Sequence, residues 1–437
     1  MEINIAGYNI DTEHINTLQQ KSGESLTPEI ISASYARISR DPRPIDEIRN
    51  DAREAVDKAR RSNEQIVFGM GHSSIAEHAV YNIDILRISR LLIEEIQRSR
   101  LVSYTEKSQR YITLEDDFVI PAEIKDSGLE KQFTAIIKEQ NALYHELFEA
   151  LIPYVVERYK NTIFDKKNVL EGLAKEDARY IVALATEAQL GMTINARNLE
   201  GMLMRLFALE LQEGRNCAEL LHKKVKDITP SLIKYVEPTE YRRTARNVVR
   251  YHAKHSLSPE GKGEDVTLVH ATNNGDDIVL TSLLYTTSHS AYESCLKDIK
   301  NMRGDRKEEL FKSVFEHIEQ YDQVLREFEN IDYTFELEIS ATCFAQLKRH
   351  RMATIHTQPY DPALGVVVPE SIIEVGLDKK FRAVIEKTNA LYETIKEKSG
   401  EMAAAYCLTN AHKRRVLMKL NARSLYHLSR LREDAHA

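Results

Sequence analysis

Apolar and polar residues alternate with period two along Tyr81–Ser89 (YNIDILRIS) and Tyr333–Ser340 (YTFELEIS), as in strands with one face in a core. The first run is one residue longer than the second. Val266–Thr272 (VTLVHAT), rich in β-branched residues, predicts another strand. Elsewhere the period becomes helical. Phe133, Ile136, Ile137, Leu143 and Leu147 recur at helix spacing, as do Phe381, Val384, Ile385 and Leu391, and both sets predict packing helices. Asp177–Gln189 and Arg197–Val225 also read as helical. The pattern predicts α+β folding, with long helices beside a small sheet.

These elements occur twice. KQFTAIIKEQNALY (Lys131–Tyr144) returns as KKFRAVIEKTNALY (Lys379–Tyr392), and TINARNL (Thr193–Leu199) as KLNARSL (Lys419–Leu425). QRSRLVS (Gln97–Ser103) returns as KRHRMAT (Lys348–Thr354), and ASYARISR (Ala33–Arg40) more loosely as LLYTTSHS (Leu283–Ser290). In chain order the separations, taken at Tyr35, Arg98, Tyr144 and Asn195, are 250, 251, 248 and 226. Register therefore holds until an insertion in the first copy between Tyr144 and Asn195. Four collinear matches imply a tandem duplication of a domain-sized unit. The expected division is a first copy over 1–252, a linker over 253–265 rich in Ser, Pro, Gly and charge, and a second copy over 266–437. Copy one continues past Asn195 to about Val236, whereas copy two stops at Ala437.

Composition narrows the class. The 437 residues fit two domains, and 60 basic against 67 acidic side chains leave a formal charge of −7. That balance argues against a general nucleic-acid or anionic-membrane binder. No apolar run approaches the ~18 residues of a membrane-spanning helix. The acidic start MEINIAGYNIDTEH lacks the layout of a signal peptide, and Cys217, Cys295, Cys343 and Cys407 are scattered without metal-ligand spacing. The expectation is a cytoplasmic protein with reduced thiols and no metal. The basic cluster YRRTARNVVR (Tyr241–Arg250) reads as a solvated connector.

The chemistry-bearing segment is Arg98-Ser-Arg100-Leu-Val-Ser103-Tyr-Thr-Glu106-Lys-Ser108-Gln-Arg110-Tyr111. Arginines interleaved with hydroxyls suit an anion cradle, because guanidinium forks match phosphate oxygens. Composition alone favours a solvated, salt-bridged turn. A lone Asn-Ala-Arg, as at Asn195 and Asn421, is ordinarily a helix cap beside a surface arginine. His72 after Gly71 also reads as a turn histidine.

Spacing adds a resemblance. Arg98 to Arg110 is similar to the signature RHRxxSxxxxSxR of the flavin-dependent thymidylate synthases, with Ser99 in place of the histidine. GHSSIAEH (Gly71–His78), Ala36-Arg-Ile-Ser39, Ala178-Arg179-Tyr180 and Asn195-Ala-Arg197 resemble other motifs of that family. So do Gln346-Leu-Lys-Arg349-His350-Arg351, Asn421-Ala-Arg423, Arg432 and Asp434-Ala-His436 in copy two. The losses are complementary. Copy one has Glu95 for the motif-linked glutamine, Leu206 for the late arginine and Glu210 for the following histidine. Copy two has Thr357 where copy one has Glu106, Asp361 where the final arginine stood, Ala405 for Arg179, and no counterpart of Gly71-His72.

The resemblance implies two tandem copies of that fold, with helices packed on a small antiparallel sheet. It implies reductive methylation of dUMP, with FAD as cofactor and NADPH and methylenetetrahydrofolate as co-substrates. Arg110, Arg179 and Ser108 would hold the nucleotide phosphate, with Glu106 and Gln346 nearby, and Arg432 would stabilise charge on the uracil ring. Arg432, Ser108, Glu106 and His72 are thus the catalytic candidates. Arg349, His350 and Arg351 would hold flavin phosphates, helped by Ser39, Ser74, Glu77, Asn421, Arg423 and His436. The implied assembly is a homodimer standing in for a homotetramer, with sites composed from both copies. Two other functions stay open: the same flavin chemistry, as methylation or hydroxymethylation, on another pyrimidine nucleotide, and a non-catalytic nucleotide- or flavin-binding role.

Overall fold

The computed structural model of the chain describes residues 1–12, 27–38, 41–112, 114–258, 261–319 and 321–433. They form two compact units, one of Met1–Glu260 with Val367–Ala411, the other of Gly261–Val366 with His412–Ala437.

The first unit carries a sheet of β1 (Glu2–Tyr8), β2 (Val80–Ser89), β3 (Ser103–Glu106) and β4 (Glu187–Asn195) in the order β1-β2-β4-β3, every neighbour antiparallel. The second repeats it with β5 (Val266–Ala271), β6 (Asp332–Ser340), β7 (Thr354–Thr357) and β8 (Lys413–Asn421) in the order β5-β6-β8-β7. The fold is α+β with two small antiparallel sheets. The alternation on β2 is real: Tyr81, Ile83 and Ile85 are fully buried, while Asn82 and Asp84 face out. With Leu190, Met192 and Ile194 of β4 they pack on the Ala196–Phe207 and Gln212–Val225 helices. The extra residue of β2 is a bulge between Ile85 and Ile88, where Arg87 takes a positive φ of 56°. The matching strand β6 pairs with β8 in unbroken register.

The strand ends are punctuated alike. Ser89 caps the Arg90–Ile96 helix by accepting from Leu92 N–H at 3.0 Å, and Ser340 caps Ala341–Leu347 through Cys343 N–H at 3.1 Å. Asn195 and Asn421 cap the helices Ala196–Phe207 and Ala422–Arg432 through Asn198 and Ser424. One sequence expectation fails. Asp177–Gln189 is not a helix: Lys167–Ala178 ends there, a short 3₁₀ turn covers Arg179–Ile181, and Glu187 opens β4. Arg197–Val225 is helical but broken between Phe207 and Gln212. The connector is more ordered than expected, since Glu240–Ser256 is a helix with no buried residue.

Inside the first unit the long helix Glu130–Arg158 meets Asp378–Ser399, its counterpart from the second repeat. Gln140 Nε2 donates to Thr388 Oγ1 at 2.9 Å, and Lys387 pairs with Glu139 at 2.6 Å. Beside them two short segments run antiparallel. Leu184 N–H donates to Leu408 O at 2.8 Å and Asn410 N–H to Val182 O at 2.9 Å; Ala185 and Ala411 repeat this toward Tyr406 and Tyr180. The pairing centres on Ala183 opposite Thr409, two residues separated by the repeat distance of 226. Each bond has its mirror with the repeats exchanged. A pseudo-two-fold axis therefore runs through one chain.

Candidate functional site

Two clusters of the expected residues form, one in each unit. In the first, β3 delivers Glu106 to the start of the Arg90–Ile96 helix. Arg90, only 2% exposed, donates from Nη1 to Glu106 Oε1 at 3.2 Å, and Gln97 Nε2 donates to Oε2 at 3.1 Å. Ser108 and Arg110 follow on the next turn, where Ser108 Oγ accepts from Arg110 N–H at 3.2 Å. The Arg110 guanidinium lies against the Tyr111 ring and pairs with Glu176 at 2.9 Å.

Arg179 opens the 3₁₀ turn and is 8% exposed. Its Nε donates to the Glu176 carbonyl at 3.3 Å, and no other side-chain hydrogen bond or ion pair engages it among the described residues. Burial is the main cause that pushes its pKa down to about 10, and Arg90 and Arg110 push the same way. Lys175, also buried, reaches the Tyr111 carbonyl at 3.4 Å. Glu176 pulls the Arg179 pKa the other way, and the terminal guanidinium nitrogens, unspent among the described residues, are donors of the kind that suits an anion.

Gly71 supplies a positive φ of 76° and leaves His72 and Ser74 exposed. Glu77 is engaged by Arg197, so the arginine of the first Asn-Ala-Arg has an internal partner. Ser99 accepts from Arg205 Nη2 at 3.1 Å. Ser39 lies outside the described residues.

In the second unit Arg432, last residue of its helix, gathers Gln346 and His350. It donates from Nη2 to the Gln346 carbonyl at 3.1 Å, from Nη1 to Gln346 Oε1 at 3.4 Å, and from Nε to His350 Nε2 at 3.3 Å. Burial, then Arg432 and His427, lowers the His350 pKa to about 4, so the ring is neutral near pH 7 and accepts from Arg432. Arg349 and Arg351 lie exposed on the following turn.

Arg423 is not brought to this group. It starts the same helix, nine residues or ~13 Å before Arg432, and is bound to Gln323, Glu329 and the Val324 carbonyl. His436 lies outside the described residues. Where copy one has Gln109 and Arg179, copy two has Tyr360 and Ala405, both buried, and Arg414 stacks on the rings of Tyr360 and Phe344. Arg90, Gln97, Lys175 and Glu176 were not found by sequence reasoning. Their spacing offered no signal, since Arg110 and Arg179 both lie off the helix that carries Lys175 and Glu176.

The arrangement defines a class: an α+β protein with two like antiparallel sheets, whose first unit gathers Arg90, Arg110, Lys175 and a buried Arg179 around Glu106 and Glu176. The sequence model of one family, described as thymidylate synthase complementing protein, matches residues 24–231 and again 267–437. The chain belongs to that family. A flavin-dependent thymidylate synthase of Clostridium tetani is 30% identical over 217 residues, 48% of this chain and 83% of that one. A relative described as UPF0159 protein Ta1429, from Thermoplasma acidophilum, is 22% identical over 413 residues, 85% of this chain and 82% of its own. Among solved structures, a flavin-dependent thymidylate synthase from Helicobacter pylori complexed with FAD and dUMP aligns at TM-score 0.35 and 17% identity, over 54% of this chain and 100% of that one. A UMP/dUMP methylase from Streptomyces cacaoi bound with 5-Br dUMP aligns at 0.38 and 17%, over 53% and 92%.

Proposed function

We propose that the chain is a flavin-dependent thymidylate synthase that arose by tandem duplication. It would carry out reductive methylation of dUMP with methylenetetrahydrofolate and NADPH. The carrying observation is the Arg179 site, a buried guanidinium whose terminal nitrogens have no partner among the described residues, in a segment that matches the family. In this reading Arg179, Arg110 and Ser108 bind the nucleotide phosphate. Glu106, its carboxylate fixed by Arg90 and Gln97, accepts from donors of the nucleotide. Gln346 and Arg432 of the second copy face the pyrimidine, and Arg432 stabilises negative charge on its ring. Copy one then contributes the phosphate arm and copy two the base-facing arm. Two such chains would replace four one-copy subunits.

The donor set for FAD fits in part. Arg349 is exposed, and its side chain makes no hydrogen bond or ion pair among the described residues, which suits a diphosphate. Arg351 stands two residues on, whereas Arg423 would first have to leave Glu329. Bound there, the flavin would supply hydride and one-carbon relay chemistry. His350 and Arg351 would join Arg349 on its phosphates, with Ser74, Glu77, Asn421 and the undescribed Ser39 and His436 as further contacts. His72 would lie beside the ring system.

Tritium release from 5-labelled dUMP, in the presence of FAD, methylenetetrahydrofolate and NADPH, tests the reading; no release with dUMP would sink it. Arg110→Gly is expected to abolish dUMP binding, while Asp361→Ala should leave it within about twofold. Equal losses would count against a division of labour between copies. A second reading, the same chemistry on another pyrimidine nucleotide, is favoured by Ser99, which stands where the family has histidine and is tied to Arg205. Release from labelled UMP but not dUMP would support it.

A further inference from the structure

The pseudo-two-fold pairing brings one polar side chain of the second copy to the phosphate-binding residues of the first. Asn410 is 1% exposed, and its backbone N–H is fixed to the Val182 carbonyl at 2.9 Å. Its side-chain amide donates to the backbone carbonyl of Arg179 at 3.0 Å and to Oε1 of Gln109 at 3.0 Å. Gln109 lies between Ser108 and Arg110. One amide thus ties together the two stretches of copy one that carry the phosphate ligands.

Related positions show that this contact is not a by-product of the pairing. In the register of the sequence repeat Asn410 corresponds to Leu184, Arg179 to Ala405 and Gln109 to Tyr360. That trio has no side-chain amide, and the pairing forms there without one. The polar latch exists only on the side that kept its arginine. Gln109 is further constrained, because its Nε2 is buried with no partner among the described residues. An unmet buried donor costs free energy on the order of 1–3 kcal/mol, which a purely structural contact would not require.

We propose that Asn410 is a positioning residue for nucleotide binding, supplied by the second copy to the first. It fixes the Arg179 backbone and the Ser108–Arg110 turn so that their donors converge on one phosphate. The inference rests on the reading of the Arg179 site as the nucleotide-phosphate site. It assigns no contact between Asn410 and the ligand.

The test uses the full chain with Asn410→Leu, which installs the residue found at the related position of copy one, alongside Gln109→Ala. Affinities for dUMP and for 2′-deoxyuridine, which lacks the phosphate, are measured by titration calorimetry, with melting temperatures recorded unliganded. Asn410→Leu is expected to weaken dUMP about tenfold, the scale of two lost hydrogen bonds, and to leave deoxyuridine unchanged. Gln109→Ala should shift dUMP affinity in the same direction by less, and the double variant should bind no worse than Asn410→Leu.

Unchanged dUMP affinity, or equal losses for nucleotide and nucleoside, would overturn the proposal in favour of a packing role. If Asn410→Leu does not fold, Gln109→Ala decides alone, and wild-type dUMP affinity in that variant overturns the latch. A wild-type chain that binds no dUMP overturns both this inference and the function beneath it.

Discussion

Arg179 shows what a buried guanidinium costs the fold. A guanidinium whose pKa is driven down to about 10 by burial is less stable charged inside the protein than in water, on the order of 3 kcal/mol. Below that pKa the group is charged in both states, so the penalty is present throughout the neutral range. Replacing it by Met, similar in length and uncharged, should raise the melting temperature by a few degrees while dUMP binding disappears. A lower melting temperature would show that the site is stabilising rather than strained.

His350 titrates in the opposite regime. Its folded pKa of about 4 lies below the ordinary histidine value, so the unfolded chain binds the proton first as pH falls. Its contribution to stability is intact above about pH 6.5 and declines as pH drops toward 4. Arg432→Leu removes the neighbouring positive charge. NMR titration should then show the His350 pKa rising, and an unchanged value would mean that Arg432 does not face the ring. Glu106, Ser108 and Arg110 were singled out because their spacing resembles a family signature. Arg90 and Lys175 were not, because the groups they reach come together only through β3 and the 3₁₀ turn.

Among the elements, β4 is where sequence reasoning went astray. Ala, Glu and Leu are good helix formers, and they led to a helix over Asp177–Gln189. Yet EAQLGMTIN alternates, burying Ala188, Leu190, Met192 and Ile194 in a strand paired on both sides. Tertiary pairing overrode local preference. By contrast the odd residue in Tyr81–Ser89 was visible in the sequence, and the bulge explains it. The two serine caps should differ in energy. Ser340→Ala loses a cap, roughly 1 kcal/mol. Ser89→Ala loses the cap and also the hydroxyl that donates to buried Glu213 at 2.6 Å, whose other donors are Ser89 N–H and Tyr406. Burial already raises the Glu213 pKa, so its remaining acceptor capacity is costly to leave unmet. Chemical denaturation should show Ser89→Ala destabilising by about 1–2 kcal/mol more than Ser340→Ala. Equal costs would mean that Glu213 is already satisfied without it.

At the scale of the molecule, repeat matching reveals two copies but not their interleaving. Val367–Ala411 belongs to the second repeat in sequence and to the first unit in space, because its helix and the segment after it find their counterparts there. A single proteolytic nick between residues 257 and 265 should therefore leave two fragments that co-elute on size exclusion and separate only in denaturant. Fragments that part under native conditions would contradict the shared core. The axis also changes what evolution can do. On a true two-fold between identical subunits, a residue on the axis meets itself, so Glu139 would oppose glutamate or Lys387 would oppose lysine. Within one polypeptide the two sides are separate codons, and Glu139 faces Lys387 at 2.6 Å. Carrying both faces in one chain turns a symmetry constraint into two independently selectable sequences, so a substitution here can alter one face and leave its mirror untouched.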